Sequence, residues 1–133
     1  MRKILSLLIA AALVSACQSD DTDYSEYIDG TTSDITTINI TYNGTSVSVT
    51  GDTNGYVTTS GADVTVNATN STDSLVLVLS GSTTDGQLLI FREKQFGIKL
   101  NGVSINNTDG PAINNQCHKA LYLEVTDGST NTL

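Results

Sequence analysis

Apolar and polar residues alternate in short runs along this chain, and glycine turns separate the runs. Ile38-Asn39-Ile40-Thr41-Tyr42, Val47-Ser48-Val49 and Val64-Thr65-Val66 alternate with period two, the mark of half-buried strands. Asn43-Gly44 and Asn54-Gly55 lie between them and favour turns with positive φ. Farther on, Leu75-Val76-Leu77-Val78-Leu79, Phe96-Gly97-Ile98-Lys99-Leu100 and Leu121-Tyr122-Leu123-Glu124-Val125 each run into a closing glycine, Gly81, Gly102 and Gly128, spaced 21 and 26 residues apart. A second mark, Thr-Asp-Gly, recurs after 24 residues at Thr84–Gly86 and Thr108–Gly110. The short runs Gln87–Ile90 and Pro111–Asn114 follow it. A period in the twenties with strands punctuated by turns is the signature of a solenoid. Helical heptads are absent, so the pattern predicts an all-β parallel β-helix, with Ile35 to about Thr50 as a hairpin-rich entry and the coils beginning near Gly61.

The pattern also divides the chain. Arg2 and Lys3 precede an apolar run, Ile4 to Val14, interrupted only by Ser6. That run is well short of the roughly 20 residues that span a bilayer, so residues 1–16 read as an export signal. The word Val14-Ser15-Ala16-Cys17 resembles a bacterial lipobox, which makes Cys17 the lipidation site and the new N-terminus. Residues 17–34 read as an acidic tether, holding six of the fourteen acids and little apolar surface. Gln18-Ser19-Asp20-Asp21 resembles the acidic export signal of bacterial surface lipoproteins, so the expected location is the cell envelope, as an outer-membrane lipoprotein facing either the cell surface or the periplasm. Residues 35–133 form the folded domain. The final Thr130-Asn131-Thr132-Leu133 starts another apparent strand with no polar cap, from which the domain is expected to be incomplete at its C-terminus.

Charge narrows the function. Removing the signal leaves four basic against fourteen acidic residues, a formal charge of −10. That excludes a generic nucleic-acid binder, and an acidic polymer would need a bridging cation such as Ca²⁺. With Cys17 acylated, Cys117 has no disulfide partner; beside His118, the single histidine, it reads as a turn or packing cysteine. The basic residues of the domain, Arg92, Lys94, Lys99 and Lys119, stand near no cluster of acids in sequence, and Arg92-Glu93-Lys94 reads as a self-solvating charged turn. No catalytic residues are expected.

The stretches Thr41–Thr45, Gly61–Val66, Leu100-Asn101-Gly102-Val103-Ser104-Ile105, Thr108-Asp109-Gly110-Pro111-Ala112-Ile113 and Asp127–Leu133 resemble bacterial secreted proteins of the carbohydrate-binding-domain-containing family. The resemblance implies a right-handed parallel β-helix similar in fold to pectate lyases, binding of cellulose-like or pectic polysaccharides, and bound calcium. It covers Ile35 to Leu133, as the N-terminal part of a family domain.

Candidate contacts follow. Asp85 and Asp109 hold equivalent turn positions and, stacked in adjacent coils, form a candidate Ca²⁺ site; the plainer reading is that Asp-Gly is the turn dipeptide. Sugar sites pair flat aromatic rings with hydrogen-bonding groups, and Tyr56, Phe91, Phe96 and Tyr122 are available, with Phe91 and Phe96 placed to fill the interior. With Leu121 and Leu123 inward, Tyr122 points outward; Lys99, between Ile98 and Leu100, does the same. Tyr122 and Lys99 are therefore the candidate ligand-binding pair. The expected function is a lipid-anchored, exported, non-catalytic polysaccharide binder, possible calcium assistance included. The alternatives are an adhesive or structural surface scaffold, or a relative of polysaccharide lyases.

Overall fold

The computed structural model describes residues 35–133. The export signal, Cys17 and the acidic tether therefore lie outside the described residues. Nine strands form: β1 (Ile35–Asn43), β2 (Val47–Thr50), β3 (Val57–Ser60), β4 (Asp63–Ala68), β5 (Ser74–Thr83), β6 (Gln87–Arg92), β7 (Phe96–Ile105), β8 (Ile113–Asn115) and β9 (Leu121–Val125). They make a five-stranded sheet of order β2-β1-β5-β7-β9 and a four-stranded sheet of order β3-β4-β6-β8.

The predicted parallel β-helix is corrected by this arrangement. Both sheets are mixed: β1 with β2 and β3 with β4 pair antiparallel, and the remaining neighbours pair parallel. Two sheets of short strands sharing one apolar interior form a β-sandwich-like fold rather than a solenoid. The three runs with closing glycines do lie side by side, as β5, β7 and β9. Their spacing, which the sequence pattern presents as the length of a coil, has another origin. It is the length needed to leave one sheet, contribute a strand to the other, and return.

The closing glycines carry a second correction. Gly81 and Gly102 do not end their strands; they lie inside β5 and β7, both with positive φ. β7 holds one extra residue opposite β5, with Leu79 paired to Leu100 and Gly81 to Val103. Asn101-Gly102 is thus a bulge, where a left-handed glycine bends the strand without ending it. Only Gly128 sits in a turn beyond its strand.

Alternation supplies the interior. Ile38, Leu77 and Ile98 share one register row, and Ile40, Leu79 and Leu100 the next. All six are buried, facing Val64, Val66, Leu88 and Ile90 of the other sheet. At about 25 cal/mol per Å² of apolar area removed from water, such rows are the main stabilising term. Tyr42 crosses this interior: its hydroxyl donates to the Gln87 carbonyl at 3.0 Å, tying β1 to β6. Burial, and then the negative charge of Asp63, push the Tyr42 phenol well above its ordinary pKa.

The rows continue to β9, where Leu121, Leu123 and Val125 pair with Phe96, Ile98 and Leu100. There they lose their cover: Leu123 is 57% and Val125 55% exposed, against 1% for Ile98.

Candidate functional site

Side chains of the four-stranded sheet that do not enter the interior form its outer face. On β4 these are Asp63, Thr65 and Asn67; on β6, Gln87, Leu89 and Phe91; on β3, Thr58; on β8, Asn114. Register sets Asp63 beside Gln87, Asn67 beside Phe91, and Thr65, Leu89 and Asn114 in one row. Neighbours within such a row stand about 4.8 Å apart across the strands. The face is therefore a mostly neutral array of amides and hydroxyls, with Asp63 at one end, Leu89 in the middle row and one exposed aromatic ring. Phe91 is 37% exposed while Phe96 is fully buried, so the expectation that both phenylalanines fill the interior holds for Phe96 alone.

A hollow opens at each end of this face. The first, about 430 Å³, is lined by Asp63, Asp85, Gln87, Asn107, Asp109, Gly110, Pro111 and Asn114. The two sequence-predicted aspartates therefore meet at one site, joined by Asp63 from the start of β4. Asp85 is already engaged: one carboxylate oxygen accepts from the Thr108 hydroxyl at 2.8 Å and from the Thr108 backbone N–H at 3.2 Å. Those two bonds hold its carboxyl below the ordinary carboxylate range. Asp109 lies in a turn fixed by Asn107, whose side-chain oxygen accepts from the Asp109 N–H at 3.1 Å. Among the described residues, no three His, Cys, Asp or Glu side chains come together closely enough to hold a metal ion unaided.

The Asp85 bonds give a testable pH dependence. A depressed carboxyl pKa adds stability that is present above the unfolded value, near 3.9, and is lost as pH falls through the lower folded value. Asp85→Asn is therefore expected to be less stable than the parent at pH 7. Thermal melts along a pH series should show the difference closing once the pH drops below about 4.

The second hollow, about 540 Å³, is lined by Gly55, Tyr56, Thr58, Thr65, Asn67, Ala68, Thr69, Asn70 and Ser71. Its wall is a polar network that the sequence pattern did not reveal. The Asp52 carboxylate accepts the backbone N–H groups of Tyr56 and Val57, both at 2.8 Å, and so sets the entry to β3. The Tyr56 hydroxyl donates to Asp73 at 2.8 Å and lies 3.0 Å from the Ser71 hydroxyl. Asn54 donates to the same Asp73 oxygen at 2.9 Å.

Arg92 anchors this wall from inside. It is 1% exposed, its Nε donates to the Gln95 carbonyl at 3.4 Å, and its terminal nitrogen donates to the Asp73 carbonyl. The reading of Arg92-Glu93-Lys94 as a self-solvating turn is thereby corrected. Position 92 continues the inward phase of Leu88 and Ile90, and strand parity overrides charge. Burial lowers the pKa of the guanidinium, against the opposing influence of Cys117, Tyr56 and Asp73.

The other sequence candidates fall on the opposite sheet. Lys99 does face outward, but its ammonium is 3.3 Å from the Glu124 carboxylate, its register neighbour on β9. Tyr122 pairs instead with Gly97, two positions earlier. Cys117 is half-buried and free; its thiol donates to the Lys94 carbonyl at 3.3 Å, and it accepts from the Lys119 N–H at 3.3 Å, which is turn packing.

An oxygen-rich, mostly neutral sheet face with an exposed ring and a polar hollow at each end suits a hydroxyl-rich ligand. The family model described as carbohydrate-binding domain-containing protein matches residues 60–133, more than half of the chain. The chain belongs to this carbohydrate-binding domain-containing family. The matched span runs from the last residue of β3 to Leu133 and so holds most of the face, with Asp63, Asn67, Asp85, Phe91 and Asp109 all inside it. Comparison with curated proteins gave no match, and comparison with solved structures gave none.

Proposed function

We propose that the chain is a lipid-anchored, exported polysaccharide-binding protein that holds its polymer on the outer face of the four-stranded sheet and performs no chemistry on it. The observation that carries this reading is the face itself, most of which lies in the matched span of a carbohydrate-binding family. Its Phe91 ring stands beside Asn67, which lines one of the two polar hollows. A sugar ring stacks its C–H face on an aromatic side chain while its hydroxyls exchange hydrogen bonds with amides and alcohols. Thr58, Thr65, Asn67 and Asn114 supply those partners along and across the strands.

The acidic hollow adds selectivity. Three carboxylates repel a uronate polymer by themselves, so pectic chains need a cation between polymer and protein. Carboxylate and amide oxygens of Asp63, Asp85, Asp109, Gln87, Asn107 and Asn114 are the hard donors that Ca²⁺ prefers. Because the acids alone do not close a metal site, uronate oxygens would complete the coordination. The ion would there neutralise charge and bridge. Anchoring through Cys17 would leave the domain on an acidic spacer clear of the membrane surface, and two or more acyl chains make such an anchor stable.

Affinity electrophoresis of the full chain against cellulose-like glucans and pectins tests the reading, with calcium and with chelator. Retardation is expected, and Phe91→Ala should weaken it at least tenfold, which corresponds to about 1.4 kcal/mol. Chelation should abolish retardation by pectin while sparing the neutral glucan. Lys99→Ala on the opposite sheet should change neither. Loss of binding with Lys99→Ala but not with Phe91→Ala would move the site to the five-stranded sheet. No retardation of a folded sample by any polymer would remove the reading.

A further inference from the structure

Phe91 shares its cross-strand row with a second aromatic ring. The β3–β4 pairing, continued one residue ahead of β3, sets Tyr56 opposite Asn67, whose backbone N–H donates to the Tyr56 carbonyl at 2.8 Å. Asn67 in turn stands beside Phe91 on β6. Residues directly opposite in an antiparallel pair share a face, and Tyr56 lines the second hollow together with Thr58, Thr65 and Asn67. Tyr56, Asn67 and Phe91 therefore make one row of ring, amide and ring. The two rings belong to residues two strands apart, about 9.6 Å at the backbone.

This row sets a direction for a bound polymer. Asp63–Gln87 and Thr58–Thr65–Leu89–Asn114, the other rows of the face, hold no ring. Along the strands, β4 offers Asp63, Thr65 and Asn67, and β6 offers Gln87, Leu89 and Phe91. A polymer laid parallel to the strands thus meets one ring at most. Laid across them, it meets two, with an amide between.

The row is also prepared for a ligand. The Tyr56 backbone N–H donates to Asp52, its hydroxyl donates to Asp73, and the residue packs partly against the core. A ring already fixed loses little freedom on binding. The Asn67 side-chain oxygen accepts from the Thr69 hydroxyl at 3.0 Å, so its amide N–H groups are the ones it offers to a ligand hydroxyl. No residue lining this hollow carries a charge, and the two carboxylates that hold Tyr56 disfavour a uronate unit beside it.

Resting on the reading of this face as a polysaccharide site, we infer that its ligand is a neutral β-1,4-linked glycan lying across the strands. Alternate sugar units stack on Tyr56 and Phe91, and the unit between them is hydrogen-bonded to Asn67. A β-1,4 linkage turns each unit over relative to the last, so every second unit presents the same face, and two rings with an amide between them match that repeat. An α-1,4-linked chain curves away and cannot lie on both rings.

Titration calorimetry of the full chain with β-1,4-linked glucose oligomers of two, three and four units, and with α-1,4-linked oligomers of the same lengths, tests this. The three-unit β-linked oligomer is the shortest that reaches both rings. It should bind at least tenfold more tightly than the two-unit one, and the α-linked series should show no such step. Tyr56→Leu and Phe91→Leu should each remove the step while leaving two-unit binding within about twofold, because a short oligomer needs one ring only. The length series needs no variant and decides the matter even if Tyr56→Leu fails to fold. Equal affinity for two and three units, a step that survives in folded Tyr56→Leu, or an equal step with α-linked oligomers overturns the inference. So does retardation by a polymer when the three- and four-unit oligomers do not bind. Each of these outcomes leaves polysaccharide binding itself standing, whereas no binding of any oligomer or polymer removes both readings together.

Discussion

Gly81→Ala is expected to cost at least ~3 kcal/mol and in practice to leave little folded protein. Gly81 has φ +79, and a β-carbon there would lie 2.0 Å from the Tyr42 carbonyl oxygen and 2.9 Å from the Tyr42 nitrogen. The obstruction is backbone, so no side chain can swing aside. β5 is gripped by β1 on one side and β7 on the other, and neither ladder can retreat without breaking its own hydrogen bonds. To this clash is added the strain of a left-handed L-residue, about 1–2 kcal/mol. Gly102 provides the internal control. Its φ is +75, but nothing lies within 4 Å of the position its β-carbon would take. Gly102→Ala should therefore show the strain without the clash, about 1 kcal/mol. Urea denaturation of both variants reads the difference directly; equal losses at the two positions would mean that φ alone matters and that the close approach to Tyr42 relaxes.

Arg92→Ala is expected to cost about 2–4 kcal/mol. The substitution deletes a fully buried side chain at the end of the interior rows and leaves a cavity. It also strips the Asp73 and Gln95 carbonyls of their donor. One offsetting gain limits the cost. The other terminal nitrogen of Arg92 is buried with no hydrogen-bond partner, so removing the guanidinium also removes an unsatisfied polar atom. Arg92→Met separates the contributions: it refills most of the volume, abolishes the unsatisfied nitrogen and still orphans the two carbonyls. Its melting temperature should fall between those of the parent and Arg92→Ala. If Met matches the parent, packing is the main role of the side chain; if it matches Ala, the carbonyl bonds are. Because Asp73 also holds Tyr56, both variants should loosen the second hollow and lower saccharide affinity along with stability.

The alternation of Ile38, Ile40 and Tyr42, and of Val64 and Val66, showed in advance which side chains turn inward. What it could not show is how many sheets share the interior, because a period of two is satisfied by any layer with one wet face. Arg92 was illegible for a related reason. Its charge speaks for solvent while its parity in β6 speaks for the core, and only the carbonyls of Asp73 and Gln95, one of them 19 residues away in sequence, decide between them. Phe91 and Phe96 flank the same turn, and the crossover from one sheet to the other reverses which face each presents. At the acidic hollow, the equal turn positions of Asp85 and Asp109 pointed to a shared place. Asp63 had no such mark and arrives through the β4–β6 pairing. Alternation puts Lys99 and Tyr122 at the same parity of their paired strands. Register then gave Lys99 to Glu124 and set Tyr122 against Gly97, a matter of two positions that no single strand reveals.

From β4 onward the chain changes sheet with every strand, and this carries a consequence for how the protein reaches its shape. Only the β1–β2 and β3–β4 hairpins close over a few residues. Every later ladder joins segments more than twenty residues apart, such as Asp63 with Gln87 or Val76 with Gly97. Each such pairing must overcome loop-closure entropy before it is rewarded, which places the chain among slow folders. The two hairpins are the natural nuclei, and each new strand then has a finished edge to join only after its predecessor is in place. Assembly therefore proceeds in the order of the sequence, the same order in which the chain is synthesised.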